Sequence, residues 1–166
     1  MENKIRVILA DGDKDFREKC KEHFLYVSLH AVQVQESAYD GTKKFLFELH
    51  DGNVVESVFM RYKHGNSVCI SSQVGCRMGC SFCASTIGGL ERDLEPAEIA
   101  AQVIAVTRHI KDEKGLPLAS NDERIGHIVV MGTGEPFDNY DELIRALQLF
   151  HDERGLNIGL RNITVS

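Results

Sequence analysis

The chain has 166 residues and a formal net charge of −6, and this length is sufficient for one domain with a buried core. A composition that is 43% hydrophobic and 27% charged excludes a disordered polypeptide, and no apolar run approaches the about 20 residues that span a bilayer. The acidic balance does not by itself favour a nucleic-acid partner.

The first 37 residues carry the weakest signals. Residues 5–10 form a short apolar run that predicts a strand, and apolar side chains share one face of a helix predicted over residues 15–24. The apolar run is too short for a signal-peptide core, so we expect a cytoplasmic protein. Residues 1–37 are interpreted as a divergent N-terminal segment with short α/β structure, separate from a core at residues 38–166.

A β-hairpin is predicted next. Two apolar stretches, residues 44–49 and 54–59, flank Asp51 and Gly52, a pair typical of a tight turn. Residues 67–71 then predict a short β-branched strand that leads into a cysteine-rich loop.

Helices and strands alternate after this loop. Pro96 opens a helix with a stripe of buried residues at helical spacing: Ile99, Val103, Val106 and Ile110. Residues 125–131 predict a strand, residues 139–154 a second helix, and residues 161–166 the start of another strand. This order predicts an α/β fold with a parallel sheet and right-handed crossovers.

The strongest chemical signal is a CxxxCxxC run formed by Cys76, Cys80 and Cys83, three of the five cysteines. Thiolates so closely spaced suit one metal centre better than disulfides, which are rare in reducing compartments. Two interpretations fit the spacing. One is an iron–sulfur cluster with three protein ligands, which leaves one of four irons open to a small molecule; the other is a structural zinc site completed by Cys69.

The local charge around this loop is basic although the chain is acidic. Arg61, Lys63, Arg77 and Arg92 stand against the single acid Glu91 in this stretch. These side chains either meet phosphates or form a solvated face that balances an anionic cluster. Both interpretations fit the sequence equally well.

Several motifs together resemble one known family. A CxxxCxxC run with an aromatic residue, Phe82, before its last cysteine is similar to the loop of radical S-adenosylmethionine (SAM) enzymes. Residues 67–76 and the Gly-Thr-Gly-Glu-Pro run at residues 132–136 resemble the RlmN/Cfr family of RNA adenine methyltransferases. The resemblance covers about residues 38–166. It implies the N-terminal part of a radical SAM partial (β/α) barrel, preceded by the hairpin and truncated in a predicted strand.

The resemblance also implies cofactor contacts. The three cysteines of the loop would ligate a 4Fe–4S cluster. Gly134 and Glu135 would contact SAM, with the carboxylate facing its ammonium group, and Ser166 falls at another SAM-contacting serine. Without the resemblance, a plain turn and an ordinary strand end explain the same positions.

Two catalytic residues follow from the same resemblance. Glu56 matches the family's proton acceptor, a role for which we expect partial burial; without the resemblance it is a water-facing acid in a strand. Cys69 matches a cysteine that frees the product through a transient disulfide with a second, methyl-carrying cysteine; without the resemblance it is a small core residue. No cysteine follows Cys83, so this sequence does not contain the second cysteine.

The implied activity is methylation of carbon 2 of an adenine in 23S rRNA and in tRNA, with an electron donor such as flavodoxin. Cfr-type methylation at carbon 8 and a non-catalytic zinc-binding RNA module are the alternatives. We expect this chain by itself to bind a cluster and SAM weakly and not to turn over.

Overall fold

The computed structural model describes Lys19 and residues 27–166. The strand predicted at residues 5–10 and, apart from Lys19, the helix predicted at residues 15–24 lie outside the described residues. Within the part of the chain that is described, no helix is long and apolar enough to cross a membrane.

Six strands precede the first α-helix in residues 27–166. In chain order the elements are β1 (His30–Glu36), β2 (Lys43–Glu48), β3 (Val54–Tyr62), β4 (Gly65–Ile70), β5 (Gln73–Gly75), β6 (Leu90–Asp93), α1 (Pro96–Glu113), β7 (Ile125–Val130), α2 (Tyr140–His151) and β8 (Ile163–Val165). Short 3-10 helices lie at Ala84–Thr86 and Leu160–Asn162.

Six strands form one mixed sheet in the order β1-β2-β3-β4-β7-β8. The strands β1 to β4 are antiparallel neighbours, whereas β4 with β7 and β7 with β8 are parallel pairs. The predicted hairpin of β2 and β3 and the predicted parallel sheet are both confirmed. Because β1 and β8 are the edges, the described residues form an open sheet, and the partial barrel stays a prediction.

Three features depart from the sequence-based expectation. The edge strand β1, which is exposed along its whole length, was not predicted. The short strands β5 and β6 form a separate two-stranded sheet. Helix α2 ends at His151, before the predicted end at residue 154, because Asp152 has an extended ψ of 121°.

The core lies on the face of the sheet that α1 and α2 cover. Fully buried strand residues on this face include Phe45, Phe59, Val68, Ile70 and Ile128. The predicted stripe of α1 is 0% exposed at all four positions, which confirms the helix and its inward face. Because side chains alternate along a strand, Glu56 and Cys69 face the opposite side of the sheet.

Gln102 of α1 links the helix to the sheet through buried hydrogen bonds. Its Oε1 accepts from the Ser57 hydroxyl and from the Ser71 amide, both at 2.9 Å, and its Nε2 donates to the Ser71 carbonyl at 2.9 Å. Gln102 and Ser71 are both 0% exposed. Backbone groups just after β4 thus find side-chain partners in place of water, and α1 fixes the segment that leads to the cysteine loop.

Replacing Gln102 with Met leaves the polar groups of Ser57 and Ser71 buried without these partners. We expect the free energy of unfolding to fall by about 2–4 kcal/mol in Gln102→Met, as measured by urea denaturation followed by circular dichroism. Gln148→Met changes an exposed glutamine of α2 and serves as the control, with an expected change below about 0.5 kcal/mol. Equal losses in the two variants would contradict the role of Gln102.

Glu123 gathers partners from three separate elements. Its carboxylate accepts from Arg61 at 2.5 Å and from Asn66 at 3.1 Å, and it forms an ion pair with Lys114 just after α1. Its side chain is 15% exposed. The hydrogen bond from Lys114, followed by that from Arg61, holds the pKa of Glu123 at about 2, below its ordinary 4.5.

A carboxyl group whose pKa is lowered by folding stabilises the fold above its unfolded pKa and loses this effect as the pH falls through the folded pKa. We expect Glu123→Gln to lower the unfolding free energy by about 1–3 kcal/mol near pH 7. The difference from wild type should disappear as the pH falls from 4.5 to about 2. Urea titrations across this range measure it, and a difference that does not change with pH would contradict the ion pairs as its source.

Candidate cofactor site at the carboxyl end of the parallel strands

Three parallel strands end at one edge of the sheet. Ile70 at the end of β4 pairs in register with Val130 of β7, and Val130 pairs with Val165 of β8. Ligands of parallel α/β proteins bind at this edge. The structure therefore brings together the segments that follow these strands: residues 71–72, the turn at 132–136 with Gly134 and Glu135, and Ser166.

The turn at residues 132–136 is bonded to the segment after β4. The Gly132 amide donates to the Ile70 carbonyl at 3.0 Å, and the Thr133 carbonyl accepts from the Ser72 amide at 2.9 Å. A Cβ at Gly132 would lie 2.8 Å from the Ile70 carbonyl, so this contact requires glycine. The turn consequently has a fixed position relative to β4.

Gln73, the first residue of β5, is fully buried against the same turn. Its Oε1 accepts from the Glu135 amide at 2.8 Å, while its Nε2 donates to Asp93 at 2.7 Å and lies 3.4 Å from Asp138. No sequence signal marks this residue, since glutamine ordinarily lies at the surface. Only the long-range contacts of the fold identify it.

The cysteine loop is held at its base and open at its tip. Cys76 is 7% exposed, and its amide donates to the Gly89 carbonyl at 3.0 Å. Cys80 is exposed and Cys83 is half-buried, with the Cys83 amide donating to the Cys80 carbonyl at 3.0 Å. One predicted ligand therefore lies inside the protein surface and two lie in the accessible part of the loop.

The thiols of the loop fit an iron–sulfur cluster in number and in kind. All four described cysteines are free. Across Lys19 and residues 27–166, no three His, Cys, Asp or Glu side chains lie close enough together to hold a metal ion. The three loop sulfurs therefore have to converge when a metal binds. Cys69 lies in β4, outside the loop, and is likewise part of no such group.

Arg77 joins the cysteine loop to the segment before α2 through an ion pair with Asp138. This contact raises the pKa of Arg77 and lowers the pKa of Asp138. Arg61 and Arg92 form similar ion pairs with acids from other parts of the chain. Three of the four basic residues near the loop are thus already paired with acids. Ion pairs within the fold therefore account for most of the local positive charge, and phosphate binding is not favoured.

Cys69 lines a cavity of about 550 Å³ on the open face of the sheet, together with Val58, Met60, Val129 and Met131. The thiol is half-buried, and this burial raises its pKa. Cys69 is therefore a protonated thiol near neutral pH, placed in a largely apolar cavity. This location fits a reacting group better than a filler of the helix-covered core.

Glu56 lies on the same open face as Cys69. Val58 pairs with Cys69 in register, and Glu56 precedes Val58 by two residues, so its side chain points to the same side. The side chain is 48% exposed and forms an ion pair with Lys44 at 3.0 Å. About half of the Glu56 side chain is thus covered, and its role as a proton acceptor stays a prediction.

Comparisons with known proteins identify relatives of the chain. No protein-family model matches it. A protein of Lachnospira eligens, described as a probable dual-specificity RNA methyltransferase RlmN, is 57% identical over 150 residues, which are 90% of this chain and 40% of that protein. A protein of Halalkalibacterium halodurans with the same description is 56% identical over 158 residues, 95% of this chain and 41% of that protein. The crystal structure of a radical SAM methyltransferase from Sphaerobacter thermophilus matches with a TM-score of 0.80 at 39% identity, over 92% of this chain and 42% of that one.

The fold matches part of the radical SAM methyltransferase from Sphaerobacter. The chain is also 57% and 56% identical to parts of curated relatives that are described as RlmN. It spans about 40% of the length of these relatives. A match over 158 residues does not fit within residues 38–166, so the likeness extends into the first 37 residues.

Two glycines of the cysteine loop differ in how closely they are packed. Gly75 and Gly79 both have positive φ, 74° and 71°, where side chains are strained. A Cβ at Gly75 would lie 2.0 Å from the Gly89 carbonyl oxygen, whereas one at Gly79 meets nothing within 4 Å. The base of the loop is therefore closed by backbone contact and its tip is not.

We expect Gly79→Ala to lower the free energy of unfolding by about 1–2 kcal/mol, the cost of the backbone conformation. Gly75→Ala adds a clash with backbone, so its loss should reach about 3 kcal/mol or more. Urea denaturation of the two variants in parallel measures the difference. Equal losses would show that the base of the loop moves without resistance.

Proposed function

We propose that the chain is part of a cytoplasmic radical SAM RNA methyltransferase. Residues 38–166 would supply part of a partial (β/α) barrel behind its leading β-hairpin, and residues 1–37 a preceding segment. The proposal depends on the proximity of the cysteine loop to the turn at residues 132–136. Arg77 in the loop forms an ion pair with Asp138, which lies two residues after the turn. A loop of three thiols beside a turn with a carboxylate suits a metal cluster and an amino-acid group that ligates it.

Cys76, Cys80 and Cys83 would ligate a 4Fe–4S cluster and leave one iron for the amino and carboxylate groups of SAM. When bound, such a cluster supplies the one-electron chemistry that generates a radical from SAM. Radical chemistry is required because an electron-poor aromatic carbon does not react by polar methyl transfer. The protein's own part is positional. Cys76, at 7% exposure, fixes one ligand, while Cys80 and Cys83 lie in the part of the loop that can close.

Gly134, Glu135 and Ser166 would contact SAM. Oε1 of Glu135 accepts from the Phe137 amide at 3.1 Å, which fixes the direction of this carboxylate. A fixed carboxylate is a favourable partner for the ammonium group of SAM, because their attraction strengthens where water is excluded. Gly134 has a φ of +105°, and a Cβ there would lie 2.5 Å from the Gln73 Cβ, so this position of the turn requires glycine.

Glu56 would accept a proton during product formation, and Cys69 would free the product. Both lie on the open face of the sheet, with Cys69 in the cavity of about 550 Å³. Since burial raises the pKa of the Cys69 thiol, Cys69 must lose its proton before its sulfur attacks. The thiolate would then attack the sulfur of a second cysteine that is joined to the RNA through a methylene group. The disulfide would form as the sulfur–carbon bond breaks, and the electron pair of that bond would leave with the RNA product. No cysteine after Cys83 is present in this sequence to serve as that second cysteine.

The proposed substrate is RNA, and the proposed position is carbon 2 of an adenine in 23S rRNA and in tRNA. The relatives' name, dual-specificity RNA methyltransferase RlmN, supports this choice. Methylation at carbon 8 is the alternative within the same chemistry, and mass spectrometry of the modified adenine distinguishes the two. A flavodoxin-like protein is the proposed electron donor.

Anaerobic reconstitution with iron and sulfide tests the cluster assignment. We expect a brown protein with about four irons per chain. Cys76→Ser, Cys80→Ser and Cys83→Ser should each reduce the iron content strongly, because each removes one of three ligands. Cys69→Ser, which changes a thiol outside the loop, is the matched control and should retain the iron. A colourless protein that retains zinc through all four cysteines would overturn the proposal in favour of a zinc module.

A further inference from the structure

Gln73 contacts three successive residues of the turn at the candidate cofactor site. Its backbone amide donates to the Thr133 carbonyl at 3.2 Å, and its side-chain Oε1 accepts from the Glu135 amide at 2.8 Å. Gly134 lies between these two contacts, and a Cβ there would lie 2.5 Å from the Gln73 Cβ. Gln73 is 0% exposed, so the turn is packed against a side chain that has no freedom to move into solvent.

The other end of the same amide group reaches the cysteine loop indirectly. Nε2 of Gln73 donates to Asp93 at 2.7 Å and lies 3.4 Å from Asp138. Asp138 is also the ion-pair partner of Arg77 in the cysteine loop. A continuous series of polar contacts therefore runs from the loop, through Asp138 and Gln73, to the peptide of Glu135.

An amide side chain satisfies both ends of this series. Glutamine offers an acceptor to the Glu135 N–H and donors to the two aspartates. A glutamate at this position would place a third carboxylate beside Asp93 and Asp138, and an apolar residue would leave the Glu135 amide buried without a partner. The chemistry of the position therefore selects glutamine.

We propose that Gln73 is a positioning residue that fixes the peptide between Gly134 and Glu135 relative to the cysteine loop. The proposal rests on the proposed function, in which these two residues contact SAM and the loop holds the cluster. Both polar atoms of the Gln73 side chain are engaged by protein groups, so Gln73 acts through the turn. A correctly placed turn then determines the affinity for SAM.

Gln102 provides a matched control for this proposal. Like Gln73 it is a glutamine with 0% exposure whose side chain bonds to backbone groups. Its partners, however, are Ser57, Ser71 and the Glu98 carbonyl, and it makes no hydrogen bond to Glu135. Gln73→Met and Gln102→Met therefore both remove a buried amide, but only Gln73→Met removes the acceptor of the Glu135 amide.

The experiment combines hydrogen–deuterium exchange, resolved to single amides by NMR, with SAM binding to the reconstituted chain. In Gln73→Met we expect exchange of the Glu135 amide to rise about tenfold and the Kd for SAM to weaken about tenfold, the effect of one buried hydrogen bond. In Gln102→Met exchange should rise at Ser71, while Glu135 exchange and the Kd change less than about threefold. Gln73→Leu removes the same acceptor with a different apolar side chain and should raise Glu135 exchange as Gln73→Met does.

The outcomes separate this proposal from the proposed function. If the chain binds no SAM but Glu135 exchange follows the expected pattern, the SAM site fails and the positioning by Gln73 stands. If Gln73→Met binds SAM as tightly as wild type, or if both Met variants raise Glu135 exchange equally, the positioning role is overturned. If Gln73→Met does not fold, wild-type exchange at Glu135 in a folded Gln73→Leu protein overturns it as well.

Discussion

Parallel pairing of β4 with β7 is the constraint on which the candidate site depends. Because Ile70 and Val130 end these strands in register, the backbone beyond each strand continues beside the other, and the Thr133 carbonyl accepts two amides from the segment after β4. This join includes backbone hydrogen bonds and requires glycine at both Gly132 and Gly134. A slip of one residue in the pairing would turn Cys69 toward the core face and dissolve the site.

The two faces of the sheet have different roles. The face covered by α1 and α2 buries the apolar side chains and supplies stability, whereas the open face carries Glu56 and Cys69. Two buried glutamines connect these functions at the edge of the sheet. Gln102 holds the segment after β4 from the helix side, and Gln73 holds the turn after β7. The side-chain amides of these two glutamines therefore contribute both to the stability of the fold and to the position of the candidate ligand-binding turn.

Short sequence patterns correctly predicted the features of the fold that depend on a few neighbouring residues. Asp51 and Gly52 indicate the hairpin, and the stripe of α1 indicates its buried face, since periodicity and turn chemistry act over a few residues. The order of strands and helices then predicts the parallel pairs. The predicted cysteine loop and turn lie at the carboxyl edge as the order of elements requires.

What sequence did not predict depends on contacts between distant residues. Gln73 lies within residues 67–76, which carry the family resemblance. Its role nevertheless follows from its contact with Glu135, a residue that only strand pairing brings near. The sequence alone allows Arg77 to bind a phosphate, whereas the fold pairs Arg77 with Asp138. The exposure of Glu56 depends on which elements cover the open face, and no periodicity in β3 specifies that.

The unequal exposure of the thiols has a consequence for handling the protein in air. Cys80 is exposed at the tip of its loop, whereas Cys69 is half-buried and its pKa is raised. Oxidants attack accessible thiols, so among the four described cysteines we expect Cys80 to be oxidised first when the loop meets oxygen without a bound metal. Since Cys80 lies outside the buried core, we expect aerobically purified protein to stay folded but to take up less iron.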